Sequence, residues 1–139
     1  ELDAYWNLAA EEYLFSGMDP AEEYFRLWQN RNAVIVGKHQ NTIEEVNADY
    51  VRAHDIQVVR RITGGGAVYH DLGNVNFSWI RTIGQPGRMG YQALLEIVMD
   101  FLRELGVAVQ LAGRSDVMVN GRKISGNAPR GFTATYSGD

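Results

Sequence analysis

The chain contains no cysteine. Disulfides are therefore excluded, no thiol nucleophile exists within these residues, and the composition fits a reducing, cytoplasmic setting. A basic excess is also missing: 13 lysines and arginines against 17 acidic residues leave a formal charge of −4. A nucleic-acid surface would usually show a basic stripe, so that partner class is not expected. No apolar run approaches the roughly 20 residues that a spanning helix needs, which argues against a membrane, and no signal peptide is visible. The three histidines are too scattered to suggest a metal site. His39 and His54 read as loop or surface residues, and only His70 lies in a motif.

What is present is an ordinary apolar share of 45% with 22% charged residues over 139 positions, enough for a single domain over 1–139 with a real core. The informative stretch starts at Arg60 and Arg61, passes through Gly64, Gly65 and Gly66, and runs into His70 and Asp71. Three glycines in a row lose more conformational entropy on folding than any other residues would. The β-branched run before them and the extended-looking Ala67, Val68, Tyr69 and His70 after them predict strand, glycine turn, strand. A nucleotide phosphate loop would need Gly-Lys-Ser/Thr and then a helix, and a dinucleotide fingerprint would need spaced glycines before a helix; neither is here. What remains is a run of unobstructed amides able to form an anion-binding concavity, flanked by two guanidiniums that match carboxylate or phosphate oxygens. A tight hairpin with two solvated arginines is the plainer reading of the glycines alone.

Elsewhere, Asp3 as N-cap and Gly17 at the end predict a helix over 4–16. Alternation over 24–29 predicts a strand with an exposed face and the apolar run at 33–37 a buried one, with Arg31 and Asn32 as the turn between them. Gly37 to Asn41 reads as loop. Asn47 as N-cap predicts a short helix over 48–54, with Val46 placed to staple onto Val51. Val75, Phe77 and Trp79 share one side of a strand and form its apolar face. Residues 81–90 read as loop. Apolar positions 94, 98, 101, 102 and 105 predict an amphipathic helix over 91–105, stopped by Gly106, with its methionine and aromatics in the core.

Asn120-Gly121 between alternating residues is the strongest short hairpin signal. A two-residue turn pairs Val119 with Arg122, Met118 with Lys123, Val117 with Ile124 and Asp116 with Ser125. One face then carries Asp116, Met118, Lys123 and Ser125, with the lysine and the aspartate diagonal at roughly 7–8 Å between Cα atoms. That suits charges holding a polyanion between them; a solvated hairpin face is the alternative. Mostly antiparallel strands with helices to one side make the expected class α+β.

Arg61-Ile-Thr-Gly-Gly-Gly-Ala-Val-Tyr-His-Asp-Leu-Gly-Asn74, followed downstream by Gly121-Arg-Lys-Ile-Ser-Gly-Asn-Ala128, resembles the lipoate–protein ligase A family. The likeness runs from about Tyr5 to Arg130 with the motifs in the family's order. It implies the biotin and lipoate ligase fold, a mixed, mostly antiparallel sheet with flanking helices. It also implies activation of lipoate or octanoate by ATP as an acyl adenylate, then transfer to a lysine of an acceptor. Such acceptors are the lipoyl domains of 2-oxoacid dehydrogenase complexes or the glycine cleavage H protein. By this resemblance Lys123 is the catalytic residue, contacting the acid's oxygen and the α-phosphate. Arg61, Thr63, Gly64, Gly65, Gly66, Ala67, Val68, Ser125 and Ala128 belong to the ligand-binding motifs, with Arg61 and the amides near Gly65 and Gly66 on the intermediate's polar linkage. Tyr69 and Asn74 stand at the adenine and His70 beside the acyl pocket, while Asp116 is the acid able to help bind a Mg²⁺ carried by ATP.

The family's catalytic domain is longer, so these residues are expected to be its N-terminal portion. Its remaining walls would come from further residues or from an accessory chain, and the polar tail at 130–139 is expected either to be poorly ordered or to self-associate. Two rivals stay open. Octanoyl transferases of the superfamily use a cysteine as acyl carrier, and one subgroup has Gly-Gly-Arg where this chain has Gly64-Gly65-Gly66. A non-catalytic module binding lipoate or an adenylate is the other.

Overall fold

The computed structural model describes residues 1–82, 88–113 and 116–127, with the helical backbone alone for 88–94. Ala128 and the tail at 130–139, for which a binding role and disorder or self-association were expected, lie outside the described residues. The chain divides into two compact units, Glu1–Thr82 and Ile83–Asp139. Among the described residues no helix is long and apolar enough to cross a membrane.

The first unit opens with α1 (Ala4–Gly17), started as expected by Asp3, whose side chain accepts from the Trp6 amide. Gln57 ties that helix start to its neighbouring strand, accepting from Ala4 N at 2.8 Å and donating to Asp3 Oδ2 at 2.7 Å. Ala4, Asn7 and Leu8 form the buried stripe of α1, at the i, i+3, i+4 spacing of one helix face. The remaining elements are β1 (Glu23–Trp28), β2 (Asn32–Val36), α2 (Thr42–Glu45), α3 (Ala48–Ala53), β3 (Gln57–Arg60), β4 (Val68–Asp71) and β5 (Asn76–Arg81). Asn47 caps α3 as expected; α2, a single turn capped by Asn41, follows the expected loop.

Strand pairing departs from sequence order. β1 pairs antiparallel with β5, while β2 lies between β3, parallel to it, and β4, antiparallel. Arg31 and Asn32 therefore do not join two paired strands, and Asn32 already belongs to β2. The strands either side of the glycines are likewise not each other's neighbours. Both need β2, because its Ala33, Ile35 and Val36 are the buried centre of the sheet. Ala4, Leu8, Ala33 and Ile35 make the core, with Trp28 and Val59 packed on it. Burying a side chain the size of Ile35 stabilises by roughly 1.5–3 kcal/mol, which outweighs the local preference for a hairpin.

The expected apolar face of β5 is also reversed. Ser78 and Ile80 are its buried residues and Val75 is exposed. Ser78 can be buried because both its hydrogen-bonding roles are met: its hydroxyl accepts from the Trp28 indole at 2.9 Å and donates to the Glu11 carboxylate. Phe77 and Trp79 stand on the other face, paired with Leu27 and Phe25.

The second unit holds α4 (Arg88–Glu104), β6 (Val109–Ala112), β7 (Asp116–Val119) and β8 (Arg122–Gly126) in an antiparallel β6-β7-β8 sheet. The periodicity of the sequence does not predict β6. Leu95 and Met99 of α4 bury against Val109 and Val117, with Leu102, Val107 and Val119 around them. Of the expected inward positions, 102 packs on this core and 101 and 105 are exposed, while Leu95 and Met99 fill its centre; the side chain at 94 lies outside the described residues. Asn120 and Gly121 take φ of 49° and 73°, the left-handed pair that a two-residue turn requires. Val119 pairs Arg122 and Met118 pairs Lys123 as expected, but a bulge between Val117 and Met118 then sets Val117 opposite Ser125 and Asp116 opposite Gly126.

Candidate functional site

Parallel pairing brings the carboxyl ends of β2 and β3 to one edge, with Val36 opposite Arg60. That is where open α/β sheets hold ligands. β4 starts at the same edge, Val68 pairing Ile35. The segment after Gly37 and the glycine loop therefore meet backbone to backbone: Arg61 N donates to Val36 O at 2.9 Å and Lys38 N to Thr63 O at 2.9 Å. A Cβ on Gly37 would lie 1.9 Å from Gly65 O, so no other residue fits there without moving the loop.

The two arginines, expected to face an anion, hold main-chain carbonyls instead. Arg61 donates through Nη2 to Gly64 O at 2.9 Å and Gly66 O at 2.8 Å, and through Nη1 to Ile35 O at 3.2 Å. Arg60 reaches Gly37 O at 2.8 Å, Gln40 O at 2.7 Å and the Thr42 hydroxyl at 2.7 Å. A loop without side chains cannot bury itself, so cationic forks at its carbonyls supply the missing restraint, each charge-assisted bond contributing about 1.5–3 kcal/mol. Gly65 sits at φ 102°, whereas Gly64 and Gly66 have nothing within 4 Å of an added Cβ. The loop is thus open on the side of Gly64 and Gly66 and shaped by Arg61 at Gly65. Ala67 leads from it into β4.

Along β4 the side chains part. His70 is buried, while Tyr69 is exposed and its hydroxyl donates to Asn32 Oδ1 at 2.9 Å. Tyr69 also borders a hollow of about 280 Å³ with Val34, Tyr50, Val51 and Ile56. Adjacent strand positions face opposite ways, so Tyr69 and His70 serve opposite faces of the sheet. Asn74 stands in the turn to β5 and donates to Asn76 Oδ1 at 2.9 Å.

His70 closes a buried chain that sequence reasoning missed. Asn7 and Asn30 are both 0% exposed. Asn7 Nδ2 donates to Asn30 Oδ1 at 3.0 Å, and Asn30 Nδ2 lies 3.1 Å from His70 Nδ1. The available clue was Asn7, a polar residue on the helix stripe between Ala4 and Leu8. Burial, then the charge of Arg61, hold the His70 imidazole below its ordinary value, against a smaller pull from Asp71. The unfolded chain then binds more protons than the folded one, so stability is full above about pH 6.5 and declines as pH falls through the folded value. Denaturant midpoints followed from pH 7.5 to 5 should show that decline, and His70→Gln should flatten it; an unchanged slope in the variant would remove His70 as its source.

In the second unit Lys123 Nζ and Asp116 Oδ1 form an ion pair at 2.9 Å, both side chains partly exposed. With Asp116 opposite Gly126, the lysine stem lies over the bare glycine, and a Cβ there would come within 3.0 Å of Lys123 Cε. The two charges, expected to hold a polyanion between them, here meet each other. Ser125 accepts from Asn127 Nδ2 at 3.4 Å. Among the described residues no three His, Asp or Glu side chains cluster as metal ligands. Asp116 alone fits a Mg²⁺ only if nucleotide phosphates complete its coordination.

The sequence matches the family model described as lipoyl protein ligase A/B catalytic domain over residues 3–135. The lipoate–protein ligase LplJ of Bacillus subtilis is 50% identical over 122 residues, covering 88% of this chain and 37% of that protein. The structure of protein Ta0514 from T. acidophilum with bound lipoic acid superposes with a TM-score of 0.85 at 31% identity, over 91% of this chain and 57% of the other. A structure of lipoate–protein ligase A bound with ATP superposes with a TM-score of 0.82 at 33% identity, over 91% of this chain and 56% of that one. The chain thus spans little more than a third of the curated relative's length.

Proposed function

Starting from the premise that the chain belongs to the lipoyl protein ligase A/B catalytic family, we propose that the protein containing it is an ATP-dependent lipoate–protein ligase. A carboxylic acid does not acylate amines in water, so it must be activated. The acid's oxygen attacks the α-phosphorus of ATP and the bond to pyrophosphate breaks; a lysine amine of a lipoyl-acceptor domain then attacks the acyl carbon of the adenylate, forming the amide and releasing AMP. Negative charge on the α-phosphate grows in the first transition state, and positioning with electrostatic stabilisation supplies most of the catalysis.

In the first unit, the amides of Gly65 and Gly66 hold the polar linkage of the intermediate, and Arg61 holds the loop that presents them. His70 lies beside the acyl group, with Tyr69 and Asn74 toward the adenine. In the second unit, Lys123 meets the α-phosphate and the acid's oxygen, and Asp116 releases it to do so. A Mg²⁺ brought with ATP would be held in part by Asp116 and would neutralise phosphate charge.

The observation that supports the reading most directly is the glycine loop, bare at Gly64 and Gly66 and fixed through its carbonyls by a half-buried guanidinium. A turn that merely linked strands would not need such restraint. The test is lipoate-dependent exchange of pyrophosphate into ATP by the full-length protein. A ligase gives exchange; a cysteine-dependent transferase or a binding module gives none, and its absence with both ligands saturating would overturn the proposal.

A further inference from the structure

The buried amides of the first unit have a fixed direction, and it ends on one nitrogen of His70. Arg26 can only donate, and it does so to Asn7 O at 2.8 Å and to Asn7 Oδ1. Asn7 Nδ2 must then be the donor end of that amide. Its second contact agrees, because it reaches the main-chain carbonyl of Gln29 at 2.8 Å, which can only accept. The same Nδ2 donates to Asn30 Oδ1, leaving Asn30 Nδ2 to donate to His70 Nδ1. With both asparagines fully buried, no water can invert a link. A permanent charge at Arg26 thus sets every donor in the row, and Nδ1 can only be the bare, accepting nitrogen.

We propose that Asn30 is a positioning residue that keeps His70 neutral with its proton on Nε2, making the imidazole an uncharged hydrogen-bond donor to an oxygen of the acyl ligand. The tautomer follows from the geometry alone; the ligand's part rests on the ligase reading above. Nε2 has no hydrogen-bond partner among the described residues, so its proton is available. Charging the ring would put a second donor on Nδ1 against Asn30 Nδ2. Asn30 cannot turn its amide over to relieve this, since Nδ2 would then oppose the donor of Asn7. The groups around the ring favour the same state. Trp28 meets it edge-on at 6.1 Å between centroids, and Arg61 opposes a positive charge while Asp71 offers only a weaker pull toward one. Glu11 bears on Arg26 and Arg61. An uncharged donor suits an acid whose tail is apolar, because a cation beside the tail would demand solvation that the chain displaces.

Long-range proton–nitrogen correlation spectra of the ¹⁵N-labelled full-length protein at pH 7 read the tautomer directly, His70 being assigned by its loss in His70→Gln. The expected result is a single neutral Nε2–H form, and an Nδ1–H or doubly protonated ring in the wild type would overturn the proposal without any further variant. Asn30→Asp places an acceptor against Nδ1. It should move the proton there and raise proton affinity about tenfold or more, one pKa unit. KM for the acid substrate should rise about tenfold with kcat little changed, the loss of one hydrogen bond. A variant ring identical to wild type would refute the role of Asn30, and an unmoved KM beside a changed ring would refute the contact to the ligand. The spectra need no turnover, so a protein without pyrophosphate exchange would sink the ligase reading while the ring's state was still decided.

Discussion

Lys123→Met is expected to abolish adenylate formation while leaving the protein folded. The lysine is one of the second motif's two cations, beside Arg122. If it meets the charge that grows on the α-phosphate, its removal costs at least two to three orders of magnitude in rate, as for a lost oxyanion donor. Folding should hardly register the change. The Lys123–Asp116 pair is partly exposed on both sides, and such pairs are worth about 0–1 kcal/mol. Methionine keeps an unbranched stem able to lie over Gly126, where the lysine stem now lies. Pyrophosphate exchange and the thermal midpoint should be measured together. Exchange within a few fold of wild type would deny Lys123 any catalytic part, and a collapse of the midpoint would show that the hairpin depends on it for folding.

The second large effect is expected at Gly65→Val. Its φ of 102° is strained for any L side chain, and a Cβ would stand 2.8 Å from Arg61 Nη2. A β-branched residue adds two more atoms in the same place. The guanidinium must move, and with it goes the restraint on the carbonyls of Gly64 and Gly66. Backbone strain of about 1–3 kcal/mol together with a displaced loop should weaken binding of a non-hydrolysable lipoyl-adenylate analogue by about a hundredfold, roughly 2.7 kcal/mol. Gly17→Ala, outside the loop and with open space and no unusual φ, is the control. Calorimetry giving Gly65→Val wild-type affinity would reduce the glycines to a connecting turn.

Features decided by neighbours along the chain are legible in the residues themselves. Asp3 and Asn47 cap the helices they are expected to cap, and Asn120-Gly121 makes the expected turn, because each depends on a handful of adjacent backbone groups. What depends on distant partners is not legible. The order β3-β2-β4 is set by which strand is apolar enough to be central, and the reversed face of β5 is set by Trp28 and Glu11 meeting Ser78. The bulge beside Val117 shifts Asp116 onto Gly126, and neither residue type announces it. For the candidate site, the motif residues are visible but the contacts of the arginines are not: guanidiniums match carbonyl oxygens as well as anions, and only the fold decides between them. Asn30 gives no signal, since a single asparagine after a strand usually marks a turn.

The position of β2 has a consequence for how the chain assembles. It is the centre of its sheet, yet both of its partners come later, β3 after the α2–α3 crossover and β4 after the glycine loop. During synthesis β2 emerges with both edges bare, its apolar run exposed until residues past 70 have been added. Pairings across such separations are slow, because loop-closure entropy must be spent before the contacts form. The glycine loop cannot take its shape until Val36 has been joined by Arg61 and Ile35 by Val68. It is therefore a late structure in folding, and until it forms, the open edges of β2 are where a nascent chain is most exposed to mispairing and most in need of a chaperone.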